Sequence, residues 1–256
     1  MKTNKKQSEV KCGSVNLTKR VSAFLIGAAL ALSLTAANLT AAEARVFLGS
    51  ASPFAVLAGS TVTNVISAGT TINGNLGAWA GTAVTGFPPG VVNGTIHAGD
   101  TAAQHAQASL TIAFNAAAGR STAPIALAEN LGGQTLAPGL YKSTSSLEIS
   151  SGDLYLDGQG NKNAVWIFQM ASTLVTTSGC QVILIGNAQP GNVFWQVGSS
   201  ATLGTTSVFK GTIRADQSIT MATGATLDGR ALARIGAVTL DSNVVTLQKV
   251  QRGSRH

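Results

Sequence analysis

Four segments between residues 171 and 242 place hydroxyl and small side chains at repeated spacings. Ala171-Ser172-Thr173-Leu174-Val175-Thr176 is followed by Ser200-Ala201-Thr202-Leu203-Gly204-Thr205, Ser218-Ile219-Thr220-Met221-Ala222-Thr223 and Ala237-Val238-Thr239-Leu240-Asp241-Ser242. The shared pattern is small, any, Thr, Leu or Met, any, Thr or Ser. Asp241 apart, it holds no acid or base that could activate its hydroxyls. Its chemistry is that of a contact surface. Each Thr offers a hydroxyl that donates and accepts and a methyl group that water avoids, and β-branching holds both in few rotamers.

Groups suited to bond breaking are sparse. Asp153, Asp157, Asp216, Asp228 and Asp241 supply carboxylates, but their spacing suits turns and coil corners rather than a paired acid and base. His97 and His105 lack further ligands at metal-binding spacing and read as ordinary polar residues. Gly158-Gln159-Gly160 is too short for a dinucleotide fingerprint, and there is no phosphate loop, nucleophile elbow or Cys/His cluster. No enzyme activity, cofactor or metal is expected.

The elements that would carry the Thr pattern follow from its period. The intervals from Thr202 to Thr220 and from Thr220 to Thr239 are nearly equal and suit one coil of a β-solenoid. The longer interval from Thr173 to Thr202 then reads as a coil plus a loop. Alternation along each strand turns Leu174, Leu203, Met221 and Leu240 inward. Thr173, Thr202, Thr220 and Thr239 turn outward, with Ala171, Ser200, Ser218 and Ala237 beside them. Stacked coils repeat at roughly 4.7–4.9 Å, which makes a flat grid of Thr, Ser and Ala. Asp241 lies at its margin. A bulge after the Leu/Met position would instead bring out Thr176, Thr205, Thr223 and Ser242.

Residues 1–44 read as a secretory signal. Lys2, Lys5, Lys6, Lys11, Lys19 and Arg20 precede an apolar run too short to span a membrane, and Ala42-Glu43-Ala44 is a small-x-small cleavage site. The segment carries six basic and two acidic residues, so the net charge falls from +7 to +3 without it. Residues 249–256 form a basic tail, expected to be disordered, with Lys249, Arg252 and Arg255; the body 45–248 then holds eight basic and eight acidic residues and is neutral. The clustered basic face of a nucleic-acid binder is absent. With Cys12 in the signal, Cys180 is alone and reads as a buried, inert thiol.

Within the body, Phe54-Ala55-Val56-Leu57, Thr61-Val62-Thr63-Asn64 and Thr70-Thr71-Ile72-Asn73 read as strands of a first coil. Residues 81–97, with Pro88, Pro89 and four glycines, read as an irregular excursion. One helix is expected at about 101–118. Thr101-Ala102-Ala103-Gln104 fits a capping box, Ala103, Ala106, Leu110, Phe114 and Ala117 form its apolar stripe, and Gly119 ends it. Asn163-Ala164-Val165-Trp166-Ile167-Phe168-Gln169 and Asn192-Val193-Phe194-Trp195-Gln196-Val197 are continuously apolar, as strands covered on both faces are. They are expected to face the helix.

Taken in order, Phe54-Ala55-Val56-Leu57-Ala58-Gly59, Asp157-Gly158-Gln159-Gly160, Val193-Phe194-Trp195-Gln196-Val197-Gly198, Gly229-Arg230-Ala231-Leu232-Ala233-Arg234 and Gly236-Ala237-Val238-Thr239-Leu240 resemble the microbial secreted ice-binding (antifreeze) proteins. The resemblance spans almost all of residues 47–248. It implies a mostly β fold, a discontinuous right-handed β-helix of triangular section with one long α-helix alongside. The N-terminal coil then packs beside the C-terminal one. It also implies that one flat face binds ice, inhibiting its growth and recrystallisation, without a cofactor. Related proteins use Thr-Ala/Gly-x-Thr/Asn stretches, and Thr223-Gly224-Ala225-Thr226 has that form. The expected contact residues are Thr173, Ser200, Thr202, Ser218, Thr220, Thr223, Ala237 and Thr239. The expected partner is the ice surface, with no nucleic acid, no membrane after signal cleavage, and a secreted, extracellular monomer. An extracellular adhesin and a polysaccharide-active β-helix protein are the alternatives.

Overall fold

The structure, a computed structural model, describes residues 43–65 and 69–248. The signal segment up to Ala42 and the basic tail lie outside the described residues. Strands β1 (Phe54–Ala58), β2 (Thr61–Asn64), β3 (Thr71–Asn73), β4 (Asn75–Ala78), β5 (Ala83–Thr85), β6 (Val91–Val92) and β7 (Ile96–Ala98) precede helix α1 (Thr101–Ala118). After it come β8 (Ile125–Ala126), β9 (Thr135–Leu136), β10 (Gly139–Ser143), β11 (Leu147–Ile149), β12 (Leu154–Asp157), β13 (Trp166–Met170), β14 (Leu174–Thr176) and β15 (Val182–Ile185). The chain ends in β16 (Val193–Val197), β17 (Ala201–Leu203), β18 (Val208–Ala215), β19 (Ile219–Met221), β20 (Thr226–Ala233), β21 (Val238–Leu240) and β22 (Val244–Thr246).

All pairings are parallel, and successive strands rotate through three faces. Face I runs β8-β10-β13-β16, then the second halves of β18 and β20, then β1-β4-β7. Face II runs β11-β14-β17-β19-β21-β2-β5. Face III runs β9-β12-β15, crosses to β18 by the Gln181–Val208 bridge, and continues through the first half of β20 to β22-β3-β6. Strands β18 and β20 turn the corner from face III to face I at Gly211 and Gly229, where φ is +106° and +156°. A Cβ on Gly229 would lie 1.8 Å from the Gly211 carbonyl oxygen, so only glycine allows the two corners to stack.

This is the expected discontinuous β-helix. Strands β1, β2 and β3 stack on β20, β21 and β22, so the first coil of the sequence follows the last. The chain must therefore cross from β7, at one end of face I, to β8 at the other. Eighteen helical residues span about 27 Å. Nine stacked strands span roughly 38 Å. Helix α1 thus covers most of the distance along face I, and residues 119–124 complete it. The expected excursion at 81–97 is instead largely ordered, supplying β5, β6 and β7 to the three faces. Its strands escape a reading by pattern because each has only two or three residues between turns.

Two cores result. Inside the solenoid lie Leu174, Leu203, Met221 and Leu240, as expected, with a column of rings. Tyr141, Phe168, Trp195 and Phe209 follow one another with centroids 5.3, 4.0 and 4.9 Å apart. The alternate residues of the same strands, Leu140, Ile167 and Phe194, pack outward against Ala106, Leu110, Ala113 and Ala117 of α1. That is why the Trp-containing runs are apolar on both sides.

Polar groups from face I also hold the helix. Gln169 donates through Nε2 to the carbonyls of Ala117 (2.7 Å) and Arg120 (2.8 Å), and Arg214 donates to that of Ala113 (3.1 Å). The last turn of α1 has no basic residue of its own. Gln169 meets carbonyls at that end, and Arg214 meets one about a turn further in. Burial, aided by the nearby Arg120 charge, pushes its guanidinium down to about 9, still charged at neutral pH.

At the N-terminus the capping residue is Asp100, one position before the expected Thr101. Its carboxylate accepts from the Ala103 amide at 2.9 Å and from His97 Nδ1 at 2.7 Å. The Ala103 amide, then His97, hold its carboxyl below the usual range. Its stabilising effect is therefore present above the ordinary Asp pKa and lost as pH falls through the lowered one. Asp100→Ala should lower the melting temperature at pH 7 and flatten its fall toward acid pH, measured by circular dichroism. An unchanged acid limb would refute this role.

Candidate functional site

Face II carries the expected grid, and strand pairing fixes its columns. The first is Glu148, Val175, Thr202, Thr220, Thr239, Thr63, Thr85. Two residues earlier on each strand lies the second: Ser146, Thr173, Ser200, Ser218, Ala237, Thr61, Ala83. Val62, Ile219 and Val238, which lie between the columns, point inward and are wholly buried. Five threonines in consecutive rungs, Thr202 to Thr85, thus form one uninterrupted row.

The two columns differ in how their hydroxyls are used. Ser200 and Ser218 accept amide protons from Ser218 (3.3 Å) and Ala237 (3.2 Å) of the next rungs, and Ser146 shares a hydrogen bond of 2.9 Å with Thr173. This pins the second column to the backbone. Among the described residues, the hydroxyls of Thr202, Thr220 and Thr239 have no partner within the protein, and that of Thr85 reaches Thr63 at 3.4 Å. They are free to hold water. No Lys or Arg stands in either column. Glu148, held by the Ser150 hydroxyl at 2.8 Å, closes the far end of the row.

The structure brings together Ser200, Thr202, Ser218, Thr220, Ala237 and Thr239 as three rungs of two columns. Thr173 belongs to the second column rather than the Thr row, because Val175 and not Thr173 pairs with Thr202. Leu174 correspondingly stacks on Ala201, and Thr176 on Leu203. The repeating step thus runs from Val175 to Thr202, not from Thr173. A slip of two residues preserves inside and outside, so alternation does not detect it. Ala171 falls outside the strand altogether.

The alternative row is not a row. Thr176 points inward, and its Oγ1 accepts from the Gly204 amide at 3.0 Å. Ser242 has φ +57° in a corner. Thr223 is exposed in the same corner, off the strand, where its hydroxyl donates to Asp241. Sequence reasoning misses Thr61, Thr63, Ala83 and Thr85. The signal is present: Ala83-Val84-Thr85 repeats Ala237-Val238-Thr239, residue for residue.

The carboxylates serve local structure. Asp153 accepts from the Gln181 amide at 2.9 Å and Asp157 from that of Gln159 at 2.8 Å, while Asp216 pairs with Arg234 and Asp228 with Lys210. Four residues of extended chain put about 13 Å between Asp153 and Asp157. Glycoside hydrolysis uses pairs about 5–10 Å apart. Cys180 is half-buried rather than buried, with its sulfur 3.1 Å from the Thr177 hydroxyl.

Residues 56–246 match the Ice-binding-like family. An ice-binding protein of Nostoc sp. (strain HG1) is 47% identical over 200 residues, 78% of this chain and 73% of that one. One from Flavobacterium frigoris (strain PS1) is 37% identical, over 78% and 75%. Among solved structures, an ice-binding protein from an Antarctic biological consortium superposes with a TM-score of 0.79 at 51% identity, covering 81% of this chain and 93% of that one. One from the Antarctic ascomycete Antarctomyces psychrotrophicus gives 0.77 at 44% identity, covering 80% and 100%.

Proposed function

Since this chain belongs to the Ice-binding-like family, we propose that it is a secreted antifreeze protein that adsorbs to ice through face II and so inhibits ice growth and recrystallisation. The observation that carries the reading is the row Thr202, Thr220, Thr239, Thr63, Thr85, five rungs long and uncharged.

Ice presents a neutral, repeating lattice of water oxygens. A Thr hydroxyl can anchor one water of that lattice, and its methyl favours a cage-like arrangement of the next. The small residues of the second column leave the surface flat. Charged side chains would hold water in their own geometry. β-Branching and the parallel backbone fix the hydroxyls in advance, so little entropy is lost on contact. Each contact is weak, but rigid simultaneous contacts multiply into adsorption with negligible release.

Export is supported by the basic and apolar segment before Ala44. Among the described residues, no helix is long and apolar enough to cross a membrane. The wide separation of Asp153 and Asp157 argues against polysaccharide cleavage. The flatness and even repeat of face II favour a lattice over the irregular contour an adhesin would grip. The test is thermal hysteresis of the purified mature protein, together with the growth habit of ice in its solution. A measurable freezing gap and faceted crystals are expected. Disc-shaped growth without a gap would overturn the reading.

A further inference from the structure

We propose that the signal is removed at the Ala42–Glu43 bond, two residues before the expected site, so that the mature chain keeps Glu43 as a working part of its fold. This rests on the reading of the chain as an exported protein.

Glu43 is held as a structural residue is held. Its side chain is 8% exposed, and its carboxylate accepts from Arg120 Nη1 at 2.7 Å. Arg120 lies just past the end of α1, and its carbonyl is one of those that Gln169 meets. From Glu43 the chain runs back along the helix. Val46 and Leu48 are buried in one cluster with Leu110, Ala113 and Ala117, and the Ser50 amide donates to Ser109 Oγ at 3.2 Å. Residues 43–50 thus form a strap along α1, tied at Ser109 and at Arg120.

The charges around the strap give the Glu43 pair its weight. Arg214 is wholly buried, and its Nε and Nη2 have no partner among the described residues. After burial itself, the Arg120 charge is what pushes the Arg214 guanidinium down. Glu43 is the carboxylate that offsets Arg120. Arg230, 5% exposed, also lacks a carboxylate partner among the described residues, and there burial and then the Arg45 charge push the guanidinium down to about 10. Uncompensated charge is costly in such places. A cut after Ala44 would worsen both. It takes the carboxylate away from Arg120, and it puts the new α-ammonium on Arg45, whose charge already acts on Arg230. A cut after Ala42 keeps the carboxylate and places the ammonium on Glu43 itself.

The sequence permits either cut. Thr40-Ala41-Ala42 and Ala42-Glu43-Ala44 each end in a small residue with another two positions before it. The partner implied is a membrane-bound signal peptidase that reads this small-x-small pattern, with water as co-reactant. The amide bond between Ala42 and Glu43 breaks. The water oxygen becomes part of the Ala42 carboxylate, and both its protons pass to the Glu43 nitrogen, which leaves as an α-ammonium.

The experiment expresses the full chain in a secreting bacterial host and reads the intact mass and N-terminal sequence of the exported protein. Wild type is compared with Ala44→Leu, a change at an exposed residue that blocks a cut after position 44 and leaves one after Ala42 open. Both should begin at Glu43 and be exported in equal amount. A wild type beginning at Arg45, or an Ala44→Leu chain that keeps its signal, would overturn the proposal with export intact. Any other start would overturn the bond assigned here. Wild type held in the cell with its signal attached would overturn the export reading and this cleavage with it. Melting of exported Glu43→Gln tests the reason for the choice. The change keeps the size of the side chain and removes its charge. It should lower the melting temperature by several degrees, and Arg120→Gln should add little on top of it, since the two act as a pair. An unchanged melting temperature would mean that Glu43 holds nothing.

Discussion

Replacing Thr220 by Tyr should lower thermal hysteresis by about tenfold, the scale expected when a multivalent contact loses several attachments at once. Thr220 stands in the middle of the Thr row, between Thr202 and Thr239, and its hydroxyl is unpartnered among the described residues. A phenol ring there stands above the surface and lifts neighbouring rungs away from the lattice. Stability should move by no more than about 0.5 kcal/mol, because the position is exposed on a regular strand. Ile112→Tyr is the control, on the outer side of α1 at a site 70% exposed. Equal losses in the two variants would mean that size or solubility, and not face II, sets the activity. Full activity in Thr220→Tyr would remove face II from the contact.

The largest effect on stability is expected at Trp195. Its ring is wholly buried, lies 4.0 Å from Phe168, and donates through Nε1 to the Lys210 carbonyl at 3.0 Å. Trp195→Ala removes the middle of the ring column that joins face I to the corner of face III. The cost should be about 3–5 kcal/mol, transfer and cavity together. Denaturant unfolding would measure it. A loss below about 1 kcal/mol would mean that the column has collapsed around the gap, contrary to the close packing of these rings.

How much of this is legible in the sequence depends on where each residue sits relative to the break in stacking order. Thr202, Thr220 and Thr239 are legible because consecutive coils carry them without insertion. Thr63 is not, because it pairs with Thr239, close to the opposite end of the fold's sequence, and nothing in a linear period announces that neighbour; Thr85 is marked only by the match of Ala83-Val84-Thr85 to Ala237-Val238-Thr239. Val175 is misplaced for a different reason. Both inward columns of face II accept large apolar residues, so Leu174 fits either, and a two-residue slip leaves every side chain on its proper side. The two Trp strands are plain to read because burial on both faces leaves them apolar except at Gln169 and Gln196. The helix is equally plain, but its cap lies one residue earlier than the pattern suggests: Asp100 and Thr101 are both good caps, and only geometry chooses between them.

The break in stacking order also bears on when this protein can fold. Val56 pairs with Ala231 across most of the described chain, and β2 and β3 wait in the same way for β21 and β22. A growing polypeptide that has not yet reached β20 therefore offers its first strands no lasting partner on that side. Contacts so distant in sequence form slowly. Strands β1, β2 and β3 therefore lack the neighbours on one side until β20, β21 and β22 have been made, although β4, β5, β6 and β7 are at hand on the other. The connectivity that lays Thr63 beside Thr239 thus also defers compaction, which suits the export proposed for this chain.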